Sequence, residues 1–468
     1  MMKEPNHFTL SLTIGLLLLL IINGCGTKKT NMQVYFAAPV LLPDTRPEMN
    51  APGFWISLHP EPNKVIMSPG EIQLFNRYIR DKLGSVKDLT QYSPIVSRAR
   101  VNDRIINQLR IIKKKGYYDS EGKKALPDFF KSIEDYINLD QIPPKVTVQF
   151  GLVAAWADQR IIPTARELYT EKMNLEFDRL QNSALDVGTP LAILHGTRDG
   201  KWVWAVSPLS SGWIKAEKVA ICSRNDLAGY IKASSFIVVT NAKADIFFDR
   251  SLTDFHARAR MGTRFPRGTD DSSNVVEILF PYREANGACT FIPAFVQRQD
   301  VHQGFLPYAP RNVISQAFKL LHAPYGWGGM FGEQDCSRFI QEVFAAMGIM
   351  FPRNSTRQAN VGTLIAFFDK KYTDSDKIAV LANKATCTPT TLWIKGHIML
   401  FLGFVDGYPY AIHATWGYPQ PHLTGERVRV TKRTVVSSLR LGEGSSTGSL
   451  LKRLNAARVV DMNFPGRK

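Results

Sequence analysis

YGWGGMFGEQDCSRFIQEVFAAMGI, Tyr325 to Ile349, sets four glycines (326, 328, 329 and 332) ahead of one of only five cysteines in the chain. Asp335 is a good N-cap, and Phe339, Ile340, Val343, Phe344 and Met347 follow at helical spacing. The pattern predicts a helix over 335–347 with Cys336 in its first turn and the opposite face buried. Unpaired N–H groups and the positive end of the dipole at such a start favour a thiolate, the form a nucleophile needs. The glycines would let the preceding chain come close without side chains blocking a substrate.

A cysteine at a helix start is ordinarily a packing residue, so the reading depends on a base. His397 opens the apolar strand GHIMLFLGF and His413 sits in the next, YAIHATWG. If these strands are neighbours packed on the cysteine's helix, His397 takes the thiol proton and His413 orients the imidazole. Around this block the composition mixes helix and strand signals, with a helix predicted from Arg311 to about Leu321, which makes residues 306–468 a compact α+β domain.

Upstream the patterns differ. Residues 63–145 repeat apolar positions at helical spacing, as in Ile72, Phe75 and Ile79 behind a Ser-Pro-Gly-Glu start, and read as a helical domain. From Val146 to about Gly304 short apolar runs alternate with Asp-Gly and Ser-Gly turns, which predicts two small β-barrels, 146–226 and 227–305. Residues 25–62, rich in Pro, Asn and Thr, read as a tether.

The first residues are of another kind. Lys3 precedes an almost unbroken apolar run, Phe8 to Ile22, too short for a comfortable membrane span and typical of a secretory signal over 1–24. The run ends in IINGCG, which resembles the bacterial lipobox although Asn23 departs from its usual small residue. The resemblance implies cleavage before Cys25 and lipidation of that cysteine, and thus a membrane anchor. Gly26, where an aspartate would signal inner-membrane retention, implies the periplasmic face of the outer membrane of a Gram-negative cell.

With 468 residues, 44% hydrophobic and 21% charged, the chain has the composition of a multidomain globular protein. Its net charge of +17 is spread along the sequence. Export argues against nucleic acid, and a basic surface suits an anionic envelope. Apart from Cys25, Cys222, Cys289, Cys336 and Cys387 remain, and four cysteines allow three full pairings between which the sequence does not choose.

The words around Cys336 are similar to the NlpC/P60 family signature: Tyr325, Trp327, Gly328 and Gly329; then Asp335, Cys336, Ser337 and Phe339; then Gly348, Ile349, Pro352, Arg353, Ser355 and Gln358. Arg338 stands where a glycine is common. GHIMLFLG resembles the family's histidine strand. The piece GTPLAILHGTRDGKWVWAVSPLSSGWIKAEKVA resembles a bacterial SH3-like domain, and ADQRIIPT, Ala157 to Thr164, resembles a segment of that module in multidomain members.

The resemblance implies a papain-like peptidase domain behind two SH3-like modules and a helical region. It implies cleavage, without a cofactor, of the bond between γ-D-glutamate and a diamino acid, usually meso-diaminopimelate, in peptidoglycan stem peptides. Cys336 would form a thioester, with Tyr325 beside the oxyanion. Asp335 would pair with a free L-alanine amine, Ser337 would sit beside the substrate, and Asp158 and Arg160 would close over that end, acting in a monomer. Trp327 and Trp416 read as packing residues. Two alternatives are a non-catalytic peptidoglycan-binding lipoprotein and an acyl or amide transferase on the same fold; the joint presence of Cys336, His397 and His413 argues against the first.

Overall fold

The computed structural model describes residues 41–271 and 274–463, together with the backbone of a short strand at Gln33–Phe36. The signal and lipidation motif, Cys25 included, lie outside the described residues.

Residues 52–137 carry four helices: α1 (Pro52–Leu58), α2 (Pro69–Asp81), α3 (Arg98–Lys113) and α4 (Pro127–Ile137). Ser68 caps α2 through a reciprocal box with Glu71, as the Ser-Pro-Gly-Glu word predicts. Ile72, Phe75 and Ile79 form its buried stripe.

The stretch read as a tether is not free. Residues 47–50 form a 3-10 turn, and α1 buries Trp55 completely, with its Nε1 donating to the Met49 carbonyl at 2.7 Å. Trp55 packs 5.5 Å from the ring of Tyr410, and Gln33–Phe36 pairs in parallel with the strand Gly425–Ser438. Three apolar side chains, Met49, Trp55 and Ile56, outweigh the turn-rich composition around them.

Two seven-stranded antiparallel sheets follow. The first runs, in spatial order, Val219–Cys222, Gln149–Val153, Pro190–Gly196, Trp202–Val206, Ser211–Lys215, Ala157–Arg160, Gln181–Leu185. The second is built from residues 236–303. Between them lies α5 (Arg224–Lys232), capped by Ser223. Cys222 and Cys289, whose pairing the sequence leaves open, are both thiols and follow the bridged residues Ile221 and Ala288.

The last unit is a mixed layer of helices against a third seven-stranded sheet. Its helix α6 (Pro310–Lys319) and α7 (Cys336–Ala345) bury Val313, Phe339, Ile340, Val343 and Phe344 against the strands His397–Val405 and Tyr408–His422. The Asp335 cap is real: its carboxylate accepts the N–H of Arg338. Helix and strands together deliver Cys336, His397 and His413 to one place.

Candidate active site

Cys336 is the first residue of α7, where backbone N–H groups lack intrahelical partners. The Ile398 N–H acts on its sulfur, and α7 packs on the strand that His397 opens. His397 Nε2 and His413 Nδ1 are 2.7 Å apart, and His413 Nε2 lies 3.0 Å from the Ser437 Oγ. The sequence gives no hint of Ser437, one serine among several polar residues at a strand end.

A base role for His397 selects one pair of tautomers along these contacts. If His397 is to take a proton on Nδ1, its own proton sits on Nε2 and is donated to His413 Nδ1. His413 then carries its proton on Nε2 and donates to Ser437. Burial holds His397 down at about 4, with the charge of Arg453 adding to the effect, and holds His413 well below the usual imidazole range.

Burial also pushes the Cys336 thiol up to about 12, helped by the Asp335 carboxylate and opposed by the Ile398 and Ser337 N–H groups and by Arg353. The expectation that the helix start makes a resting thiolate is therefore corrected. The N–H groups act in that direction, but removing the sulfur from water costs more. Both shifts favour the neutral forms, thiol and imidazole.

Tyr325 is half-buried, and burial holds its hydroxyl protonated, with the nearby Cys336 contributing in the same direction. A hydroxyl that stays a donor beside the sulfur is what an oxyanion requires.

Asp335 is occupied. Arg353 donates to both oxygens (3.1 Å to Oδ1 and 2.6 Å to Oδ2), Ser337 Oγ and Arg338 N donate to Oδ1 (2.9 and 2.8 Å), and Gly328 N to Oδ2 (3.1 Å). Burial alone would raise this carboxyl, but Arg353 holds it below the usual range. The cation it pairs with in this structure is Arg353. Ser337 belongs to the same cluster, accepting from Arg353 at 2.8 Å.

Asp158 and Arg160 part company. Arg160 is buried, and its guanidinium is spent on Asp178 (2.5 Å), Gln181 (3.1 Å) and the carbonyls of Thr164 and Arg166 (3.2 and 2.6 Å), which pins the loop 161–181. Asp158 is half-buried and accepts from Gln181 at 2.5 Å; burial raises its carboxyl. Gln181 also donates to the Gly328 carbonyl at 3.5 Å, which links Asp158 to the glycine stretch ahead of Cys336.

The glycines serve this junction between units. Gly328, at φ 63°, would place a Cβ 2.6 Å from the Gln181 side chain, and Gly329, at φ 84°, would place one 3.1 Å from that of Ala184. They admit the strand Gln181–Leu185 rather than clear a path for substrate. The two tryptophans read as packing do pack, but across units: Phe177 lies 5.2 Å from Trp327 and 5.4 Å from Trp416. Trp327 donates to the Asp178 carbonyl (2.9 Å) and Trp416 to Glu176 (3.1 Å), which pairs with Lys432 (2.5 Å). Loop 176–179 is tied to the rim of the site on both sides.

Arg338 closes a buried charge cluster where three units meet. Its guanidinium pairs with Asp186 of the first sheet and, at 2.9 Å, with Glu342; Arg260 of the second sheet holds Asp186 at 2.8 and 3.0 Å.

With this geometry in hand, residues 322–400 match the model of the NlpC/P60 family and residues 167–215 that of the SH3 domain, SH3b1 type. No curated protein matches the chain by sequence. A solved NlpC/P60 endopeptidase from Photobacterium damselae subsp. piscicida is similar in fold, with a TM-score of 0.72 over 93% of this chain and 100% of that one, at 18% identity. An NlpC/P60 family protein from Bacillus cereus ATCC 10987 gives a TM-score of 0.41 at 16% identity, covering 60% of this chain and 82% of that one.

Proposed function

From the premise that the chain carries an NlpC/P60 domain and an SH3b1-type SH3 domain, we propose that it is a cell-envelope cysteine peptidase. Its substrate is the bond between γ-D-glutamate and a diamino acid, meso-diaminopimelate, in peptidoglycan stem peptides. The observation that carries this reading is Cys336 at the start of α7, packed on the strand that His397 opens, with His397, His413 and Ser437 in one line of contacts.

The chemistry follows from the neutral resting pair. Cys336 Sγ attacks the γ-glutamyl carbonyl carbon while its proton passes to His397 Nδ1. The imidazolium formed is stabilised through Nε2–H to His413. The Cys336 N–H and the Tyr325 hydroxyl hold the oxyanion. His397 then gives its proton to the leaving amine, the C–N bond breaks, and a thioester remains. Water, deprotonated by His397, attacks the thioester, releasing the glutamate carboxylate and the thiol.

In the same reading Asp158 receives the free amine of L-alanine, and loop 176–179 forms the wall at that end. The chain acts as a monomer, anchored through lipid on Cys25 at the periplasmic face of an outer membrane; fatty-acid labelling of the wild type but not of Cys25→Ser tests the anchor.

The test of the activity is mass spectrometry of L-Ala-γ-D-Glu-meso-diaminopimelate after incubation with the protein and with Cys336→Ala. Release of L-Ala-γ-D-Glu by the first and not the second supports the peptidase. Binding of the peptide without cleavage by either sinks it in favour of a binding protein.

A further inference from the structure

Cys222 and Cys289 stand at the seam between the first and second sheets. Cys222 ends the edge strand Val219–Cys222, Cys289 opens the strand Cys289–Gln297, and the residues just before them, Ile221 and Ala288, form a parallel bridge. The Ile221 N–H donates to the Gly287 carbonyl at 2.9 Å and Arg283 Nε to the Val219 carbonyl at 3.0 Å, so the two segments lie side by side. Residues one step on from a bridged parallel pair are themselves neighbours, with backbones about 5 Å apart. A disulfide spans Cα atoms about 4.4–6.8 Å apart.

The side chains face the same way. Along Val219–Cys222 they alternate: Val219 and Ile221 pack with Leu191, whereas Cys222 packs on the opposite cluster, that of Phe150, Leu227 and Tyr230. Cys289 packs on that second cluster too, and Phe291, two residues further along its strand, stacks on Tyr230 at 5.4 Å. Both thiols therefore lie on one side of the seam. Both are half-buried, which leaves them open to a small oxidant, while Cys336 and Cys387 belong to the last unit.

We propose that Cys222 and Cys289 are a disulfide-forming pair, closed by exchange with a disulfide compound, and that the bond ties the second sheet to the edge of the first. One cysteine thiolate attacks a sulfur of the oxidant's disulfide, giving a mixed disulfide and releasing one thiolate of the oxidant. The second cysteine thiolate attacks the protein sulfur of the mixed disulfide, so the Cys222–Cys289 bond forms as the mixed bond breaks and the second half of the oxidant leaves. The two protons given up by the cysteines end on the two thiols of the reduced oxidant. Of the three full pairings open to four cysteines, none is then needed in full: this single link leaves Cys336 a free thiol, as a nucleophile requires. The bond also secures the sheet that supplies Arg260 to Asp186, the partner of Arg338 on α7. The pairing stands whether or not the chain is a peptidase.

Burial, with Cys289 beside it, pushes the Cys222 thiol up to about 12, and burial pushes Cys289 up to about 11, so exchange needs alkaline pH and time. The test incubates the full chain overnight with oxidised glutathione at about pH 8.5, caps the remaining thiols and maps the peptides without reduction. The expected result is one linked peptide pair carrying Cys222 and Cys289, lighter by two hydrogens, with Cys336 and Cys387 outside any internal link. Closing the loop 222–289 should raise the urea midpoint by on the order of 1 M over the same protein treated with reductant. Cys222→Ser and Cys289→Ser should each abolish that difference, and the wild-type comparison of oxidised with reduced protein stands even where a variant folds poorly. Separate glutathione adducts on Cys222 and Cys289, thiols that stay free throughout, or a link from either to Cys336 or Cys387 overturn the pairing. A link that forms without moving the midpoint overturns its role in tying the sheets.

Discussion

His397 Nε2 stands 2.7 Å from His413 Nδ1, and Ser437 closes the line on the far side. His413 thus needs only an acceptor at one ring position, which an asparagine oxygen reproduces. His413→Asn should keep most of the activity, whereas His413→Ala should lose on the order of 10²-fold in kcat with little change in KM. Steady-state kinetics on the tripeptide checks both. An equal loss in the two variants would mean that ring packing, not the accepted hydrogen bond, is what His413 provides.

Acid should act on the folded state through the same pair. Burial holds the His397 pKa at about 4, below the ordinary value of 6.5. The unfolded chain therefore binds the extra proton first, so the stability from keeping this imidazole neutral is complete above pH 6.5 and is lost as pH falls towards 4. The loss is on the order of 3 kcal/mol. Urea unfolding at pH 7 and pH 4.5 should show a smaller difference for His397→Asn than for the wild type. The acid limb of kcat/KM should likewise fall below the 6.5 of an ordinary histidine.

The proposed trio was legible because each member sits in a strong local pattern: a capped helix start for Cys336 and an apolar strand each for His397 and His413. Ser437 was not, because a serine at a strand end has no periodicity to mark it. The ion pairs of Asp335 and Arg160 were not legible for a related reason. Sequence shows that a charge is present but not that Arg353 or Asp178 already answers it at 2.6 or 2.5 Å. The tether reading differs again: Met49, Trp55 and Ile56 are too few for a periodic signal yet enough to dock α1.

In the proposed reading Asp158, with burial raising its carboxyl and one hydrogen bond from Gln181, meets the substrate amine. Wild-type protein should prefer the tripeptide with a free N-terminus over its acetylated form. Asp158→Asn should lower kcat/KM for the free-amine peptide and abolish the preference. If the variant still discriminates, the amine is read elsewhere.

Phe177 reaches across to Trp327 and Trp416, each about 5 Å away. Removing its ring should free loop 176–179 from the rim without touching Cys336. Phe177→Ala should then raise KM more than it lowers kcat, and limited proteolysis should cut within residues 171–180 faster than in the wild type. Unchanged cutting would show that the Glu176–Lys432 pair and the Trp327 hydrogen bond hold the loop by themselves.

The Arg338 cluster makes the sharpest stability prediction, because breaking a buried pair and replacing it are different experiments. Arg338→Met leaves Glu342 buried with Gln334 at 2.8 Å and Arg260 at 3.6 Å as its remaining partners, and should cost about 3–5 kcal/mol in urea unfolding. Arg338→Met combined with Glu342→Met removes both charges and should recover most of that loss, since Asp186 keeps Arg260 at 2.8 and 3.0 Å. Were the double variant as unstable as the single, the cluster's value would lie in the Arg338–Asp186 contact that joins α7 to the first sheet. That contact would then be what holds the cysteine's helix against the wall of its own site.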